Sequence, residues 1–484
     1  MGHAAPLLRL ARSGAVALAA LMLPVEAGAQ ALVNAGEIAL NVRNGSVKAV
    51  DVVEAALDRT REIAGLNAFI TLDAVGAGKA AAAIDAAAGA AGPLAGVPFV
   101  VKDNIASAGL PTTAGTPALR NYVPAVDAPV LAALRKAGAV LIGKTNMHEL
   151  AFGITSNNAE FGAVGNAVDP ARFAGGSSGG TAAAIAAGVV PFGLGTDTGG
   201  SVRIPAALNG IVGFRPTTGR YSGEMIVPIS TTRDTAGPMA RTVGEVVLID
   251  AILAGEGGEV PLDLSAVRLG LAHPQADNLS AGVKISLDDA IARLKAAGAT
   301  IVDVDMSKTL ADGGAAGFPI ALFEARRDLG AYLAANTDLA LEDLAAKIAS
   351  PDVSNIFAGG VLGVGVSEAE YEEALAVRET MIADYAALFQ SNALDAIIFP
   401  TTPLEAQPIE GSDKTVMLNG EAVPTFPTFI RNTDAGSVIG APGLSLPMAP
   451  TAEGLPTGLE IDGLPGADAA LLSLGLAVES VLGD

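Results

Sequence analysis

The sequence predicts an α/β fold around a central sheet, with a helical insertion in the C-terminal half. Three observations predict it. Helix-like and strand-like stretches alternate between residues 46 and 198. From about 305 to 390 the pattern turns helical, with few strand-like runs. No internal repeat, low-complexity tail or long linker divides the chain, so residues 30–484 read as one domain of packed helix and sheet layers.

The chain opens with a basic stretch carrying Arg9 and Arg12, an apolar run "GAVALAALMLPV" (14–25) and the small residues "AGA" (27–29). This order predicts a signal peptide over 1–29, cleaved near Ala29, and a secreted or periplasmic protein. The apolar run is too short for a mature membrane span, and no later stretch reads as one.

The first helix covers "SVKAVDVVEAALDRTREIAG" (46–65), with Ser46 as cap, an apolar face of Val50, Val53, Leu57 and Ile63, and Gly65 as stop. A strand "NAFITL" (67–72) and a helix over 78–92 follow. "LAGVPFVVKDNI" (94–105) contains a strand ending in a charged turn. A helix over 127–138, with Asp127 as cap and Gly138 as stop, leads into the buried strand "AVLIGKT" (139–145). Residues 180–198 again read helix then strand. In the insertion, "SEAE" (367–370) is a capping box. "LDAIIFPTTP" (394–403) returns to a buried strand, and an amphipathic helix over 468–482 closes the chain.

Composition narrows the function. The 484 residues carry 29 Lys and Arg against 51 Asp and Glu, a net charge of −22. A chain this acidic repels nucleic acid, anionic membranes and polyanionic substrates. There is no cysteine, so no thiol nucleophile, disulfide or thiolate metal site exists. Of the three histidines, His3 falls in the expected signal peptide, which leaves His148 and His273.

Three motifs carry chemistry. "GGSSGG" (175–180) satisfies the G-x-S-x-G expression of a nucleophile elbow. That elbow needs a histidine after the serine, and only His273, in the polar turn "GLAHPQAD", follows it. The run also lacks the G-K-[ST] ending of a phosphate-cradling loop. "GTDTGGSVR" (195–203) places Ser201 after two glycines, a geometry that can gather backbone N–H groups around an oxyanion. Lys102 in "VVKDN" follows an apolar strand, where desolvation lowers an amine's pKa and makes it a base.

Together these motifs resemble the amidase signature family, with 24 residues separating the two serines and 99 separating Lys102 from Ser201. The likeness continues through 206–222, 234–242, 396–403 and 441–448, and covers essentially all of 30–484. It implies a single domain with a central mixed, twisted sheet flanked by helices, and an amidase needing no metal or cofactor. It implies that Ser201 is the nucleophile, that Ser177 is a bridging serine after a cis peptide, and that Lys102 is the base. Backbone N–H groups of Thr198, Gly199, Gly200 and Ser201 would form the oxyanion hole, braced by Ser178, Asp197 and Arg203.

Within the family, 146–158, 220–241 and 423–447 resemble the indoleacetamide and mandelamide hydrolase branch. A small aryl amide is therefore the expected substrate, with a monomer or homodimer as the expected assembly. "DAGSVIGAPG" (434–443) departs from that branch, and the Gly- and Val-rich "FAGGVLGVGVSEAE" (357–370) suggests a looser lid. Anilides and carbamates thus stay open as alternatives, as do an amidotransferase A subunit and a non-catalytic binding protein. Met147, Phe152, Phe429 and Ile439 are candidate pocket walls, and His148 reads as structural packing near the entrance.

Overall fold

A computed structural model describes residues 1–2, 34–87 and 92–483. Apart from Met1 and Gly2, the expected signal peptide lies outside the described residues. Eleven strands form one sheet: β1 (Phe69–Leu72), β2 (Pro98–Lys102), β3 (Val140–Thr145), β4 (Phe192–Asp197), β5 (Val212–Arg215), β6 (Thr235–Ala240), β7 (Arg268–His273), β8 (Thr300–Asp305), β9 (Ala396–Pro400), β10 (Gly443–Pro447) and β11 (Gly458–Asp462). Their spatial order is β1-β3-β2-β4-β6-β5-β10-β11-β9-β7-β8. The pairs β3/β2, β2/β4, β9/β7 and β7/β8 are parallel, and the strands between β4 and β9 pair antiparallel. The sheet is therefore mixed, as expected.

Strands β2, β3 and β4 are buried along their whole length, which is why they read as continuous apolar runs rather than alternating ones. Helices 49–62, 129–136, 243–254, 281–296 and 468–482 bury apolar faces in one core with them. The described residues from 34 onward form one compact unit. The insertion is helical as predicted: Ser307–Glu324 and Glu368–Asn392 pack on each other, and the Ser367–Glu370 capping box is formed. Among the described residues, no helix is long and apolar enough to cross a membrane.

Two predicted caps shift. The first long helix begins at Ala49 with Lys48, not Ser46, at its N-cap. Its free N–H groups at Ala49 and Val50 are taken instead by the Asp85 carboxylate, at 2.7 and 3.2 Å. A tertiary partner thus replaces the local one. The Pro129–Lys136 helix has Ala128 at its N-cap, while Asp127 accepts from the Ala108 N–H at 2.7 Å and pairs with Arg135 at 2.8 Å.

Candidate active site

Lys102 ends β2 and Thr196 lies near the end of β4, its parallel neighbour. Parallel strands release their C-terminal residues on one edge of the sheet, where α/β enzymes place their sites. Lys102 is fully buried. Its Nζ lies 2.7 Å from Ser177 Oγ and 2.8 Å from Thr196 Oγ1, and Asn104 Nδ2 donates to the same Thr196 hydroxyl at 3.0 Å. The neighbouring Asp103 pairs with a different buried lysine, Lys144, at 3.1 Å. Among the described residues, no carboxylate forms an ion pair with Lys102. Burial pushes its pKa down to about 7, against the opposing pull of Asp197 and Asp234.

Ser177 sits between β3 and β4, before the buried helix Gly179–Ala186, and the Gly176–Ser177 peptide is cis. The "GGSSGG" run is closely packed rather than loose. A Cβ on Gly176 would come within 2.9 Å of Ser156 N and 3.0 Å of the Ile154 carbonyl carbon. Ser156 Oγ donates to the Gly175 carbonyl at 2.8 Å and accepts from Gly179 N–H at 3.1 Å, holding both sides of the turn. His148 N–H donates to the Ser177 carbonyl at 3.2 Å. Ser178 N–H donates to the Ser201 carbonyl at 3.1 Å, which joins the two serine loops.

The loop carrying Ser201 is stapled by Asp197. Its carboxylate accepts from Gly200 N–H at 2.8 Å and Val202 N–H at 3.1 Å, and it pairs with Arg203 at 3.1 Å and Arg215 at 3.0 Å. Burial pushes the Asp197 carboxyl up, but Arg203 and Arg215 override it and hold the group below the usual carboxylate range. Ser178 Oγ donates to the Thr196 carbonyl at 3.3 Å. Ser178, Asp197 and Arg203 thus brace the strand end and loop around Ser201.

One expected oxyanion donor is corrected. The Gly200 N–H points at Asp197, so it is not available. The N–H groups of Thr198, Gly199 and Ser201 have no acceptor among the described residues. Gly200 serves the loop differently: its φ is +134°, and Thr433, whose hydroxyl donates to the Gly199 carbonyl at 2.6 Å, stands where a side chain would go.

Ser201 lines a pocket with Phe152, Ile229, Phe318, Phe426 and Ile430. Of the four expected wall residues, only Phe152 is in this wall. Met147 is fully buried in the core beneath, Phe429 packs edge-on against Phe173 with centroids 5.2 Å apart, and Ile439 belongs to the core under the insertion. All three are the right residue type on the wrong side of the wall. The wall instead draws Phe318 and Leu322 from the Ser307–Glu324 helix and Ile356 from the Pro351–Ile356 helix, so the insertion closes one side of the site. The pocket encloses about 70 Å³. A cavity that holds benzene is about 150 Å³, so an aryl group would extend toward the mouth, where Phe318 is half exposed and its ring lies 5.9 Å from that of Phe426. Sequence reasoning also missed Thr196 and Asn104, although both lie within or beside motifs it had singled out, and the pocket ion pair Arg233–Asp434.

Neither histidine among the described residues lines the Ser201 pocket. His273 ends β7 and lies between Asp277 at 2.9 Å and Asp303 at 3.3 Å, lining neither the Ser201 pocket nor the cavity beside it. His273→Ala is expected to leave the hydrolysis rate within about twofold, since surface substitutions away from a site perturb little. His148 is buried, with Nε2 2.9 Å from Asp352 Oδ2 and Nδ1 accepting from Ser156 N–H at 3.2 Å. It ties the Pro351–Ile356 helix to the Ser156 support of the Ser177 turn. His148→Leu leaves the Ser156 N–H buried without a partner. The expected loss is about 1–3 kcal/mol, read as a lower urea midpoint, and an unchanged midpoint would refute the assignment.

Comparison with known proteins makes the chain a hydrolase of carbon–nitrogen bonds other than peptide bonds. The chain belongs to the amidase family, whose model matches residues 51–472. It is 44% identical to a mandelamide hydrolase of Pseudomonas putida over 91% of this chain and 90% of that one. It is 42% identical to an indoleacetamide hydrolase of Agrobacterium vitis, over 95% and 98% of the two chains. A crystal structure of an amidase superimposes with a TM-score of 0.84 at 34% identity, covering 93% of this chain and all of that one. The chain is an amidase.

Proposed function

We propose that this amidase hydrolyses a small, aryl-containing amide to its carboxylic acid and ammonia through a covalent Ser201 acyl-enzyme. The observation that carries the reading is the 2.7 Å contact between Ser177 Oγ and a buried lysine whose pKa is about 7. Neutral Lys102 takes a proton from Ser177, Ser177 takes one from Ser201, and Ser201 Oγ adds to the amide carbonyl. The oxyanion accepts from the free N–H groups of the Thr198–Ser201 turn. The proton returns through Ser177 to the leaving nitrogen, and water cleaves the acyl-enzyme by the same relay. The aromatic lining from Phe152, Phe318 and Phe426 supports an aryl acyl group. The N-terminal pattern supports export, with cleavage near Ala29.

A hydrolysis panel on the purified protein tests this: indole-3-acetamide, mandelamide, a long-chain amide, an anilide and an aryl carbamate. Fastest turnover of either of the first two supports the reading, and preference for the long-chain amide overturns it. The rate should also follow Lys102. The amine must be neutral, so the rate rises with pH through about 7 and levels above it. A profile peaking near pH 5 would sink the relay.

A further inference from the structure

A second cavity adjoins the Ser201 pocket, and Thr198 and Ala151 line both. It encloses about 420 Å³, the larger of the two spaces and within the range that takes a small ligand. Asn104 and Thr196 line it and do not line the first pocket, whereas Ser201 lines the first and not the second. Asn104 is 2% exposed. Its Nδ2 is used by Thr196 Oγ1 at 3.0 Å, but its Oδ1 has no hydrogen-bond partner among the described residues. A buried carbonyl oxygen left without a donor is a rare feature that an incoming N–H would satisfy. The charged side chains around the space are acidic, half-buried Asp234 and exposed Glu224, and no lysine or arginine lines it among the described residues.

We propose that this cavity is a leaving-amine subsite, taking the nitrogen substituent of a secondary amide while Asn104 Oδ1 accepts from the departing N–H. The inference rests on Ser201 as nucleophile and divides the substrate across it. The acyl half lies in the narrow apolar pocket. The nitrogen half faces Lys102, which sits behind Thr196 with its Nζ 2.8 Å from the Thr196 hydroxyl. That is the side on which the base end of the relay lies, the proton itself returning through Ser177. In the step served, the Ser201 oxygen bonds to the carbonyl carbon, the C–N bond breaks, and the serine proton passes to nitrogen, releasing a neutral primary amine. Water then adds to the ester, giving the acid and restoring the serine proton. The acidic surroundings favour the amine once it picks up a further proton from solvent.

The test compares a primary amide with the N-butyl amide of the same acid. Cleavage of the N-butyl amide with kcat/KM within about tenfold of the primary amide is expected. Butylamine should inhibit as a product, and ammonium at the same concentration should inhibit less. Gly223 lines the cavity and has open space where a side chain would grow. Gly223→Leu should lower the N-butyl to primary kcat/KM ratio by about tenfold or more and weaken butylamine inhibition. Cleavage of the primary amide alone, with no butylamine inhibition, overturns the subsite and leaves the proposed function standing. Failure on both amides overturns the proposed function and the subsite with it. The wild-type ratio and the inhibition decide the matter even if the variant does not fold.

Discussion

Ser201→Ala, Ser177→Ala and Lys102→Ala are each expected to lower kcat by on the order of 10⁴-fold or more, because members of a proton relay act as a unit. In the proposed mechanism Ser201 supplies the oxygen that bonds to substrate, so its loss should also remove any acyl-enzyme that hydroxylamine could trap. Ser177 is the group whose Oγ meets Lys102 Nζ at 2.7 Å, and without it the base has no path to the nucleophile. Lys102→Ala removes the base and leaves a void beside the Thr196 and Asn104 side chains. Non-additivity is the sharper check. The Lys102→Ala/Ser177→Ala double variant should be no slower than the worse single one, because the second removal acts on a relay already broken. Independent losses that multiply would mean that the two residues do separate jobs. Near-full activity of Lys102→Ala at pH 8 would refute the relay outright.

Arg203→Ala is expected to cost about 3–5 kcal/mol of stability, the usual cost of stripping one partner from a buried ion pair. Arg203 is fully buried and meets Asp197 at 3.1 Å, Glu460 at 2.8 Å, Ser437 Oγ at 2.7 Å and the Thr433 carbonyl at 3.1 Å. Burial already pushes the Glu460 and Asp462 carboxyls up, with Arg203 opposing the shift in both. Without the guanidinium, Arg215 is the ion-pair partner left to Asp197 among the described residues. The loss should appear as a lower denaturant midpoint, and activity should fall with it, because Asp197 also holds the amides of Gly200 and Val202. A midpoint shift worth less than about 1 kcal/mol would mean that the network is solvent-relaxed.

Much of the fold was legible because β2, β3 and β4 begin as apolar runs and end in polar or charged residues. The strands that sequence reasoning did not name lack that signature. Thr235–Ala240 reads "TAGPMA", with Gly and Pro in its middle, and is a strand because β4 and β5 pair with it on both sides. Pairing partners overrode a poor local propensity there. Gly443–Pro447, "GLSLP", is likewise held between β5 and β11. The pocket wall failed for another reason. Met147, Phe429 and Ile439 are as apolar as Phe318 and Phe426, and composition cannot tell a side chain facing a cavity from one facing the core.

The sequence by itself determined which residues gather at the sheet edge. Lys102, Ser177 and Ser201 lie in three short motifs whose glycines and strand ends fix the backbone locally. Tertiary structure alone decided what those residues can do. The lowered pKa of Lys102 comes from complete burial, with the neighbouring Asp103 paired to Lys144 instead. Among the described residues, the Thr198–Ser201 turn has three spare N–H donors rather than four because Asp197, fixed by Arg203 and Arg215, claims Gly200. Desolvation and hydrogen-bond competition depend on what surrounds a group in space, and most of those surroundings come from residues distant in the chain.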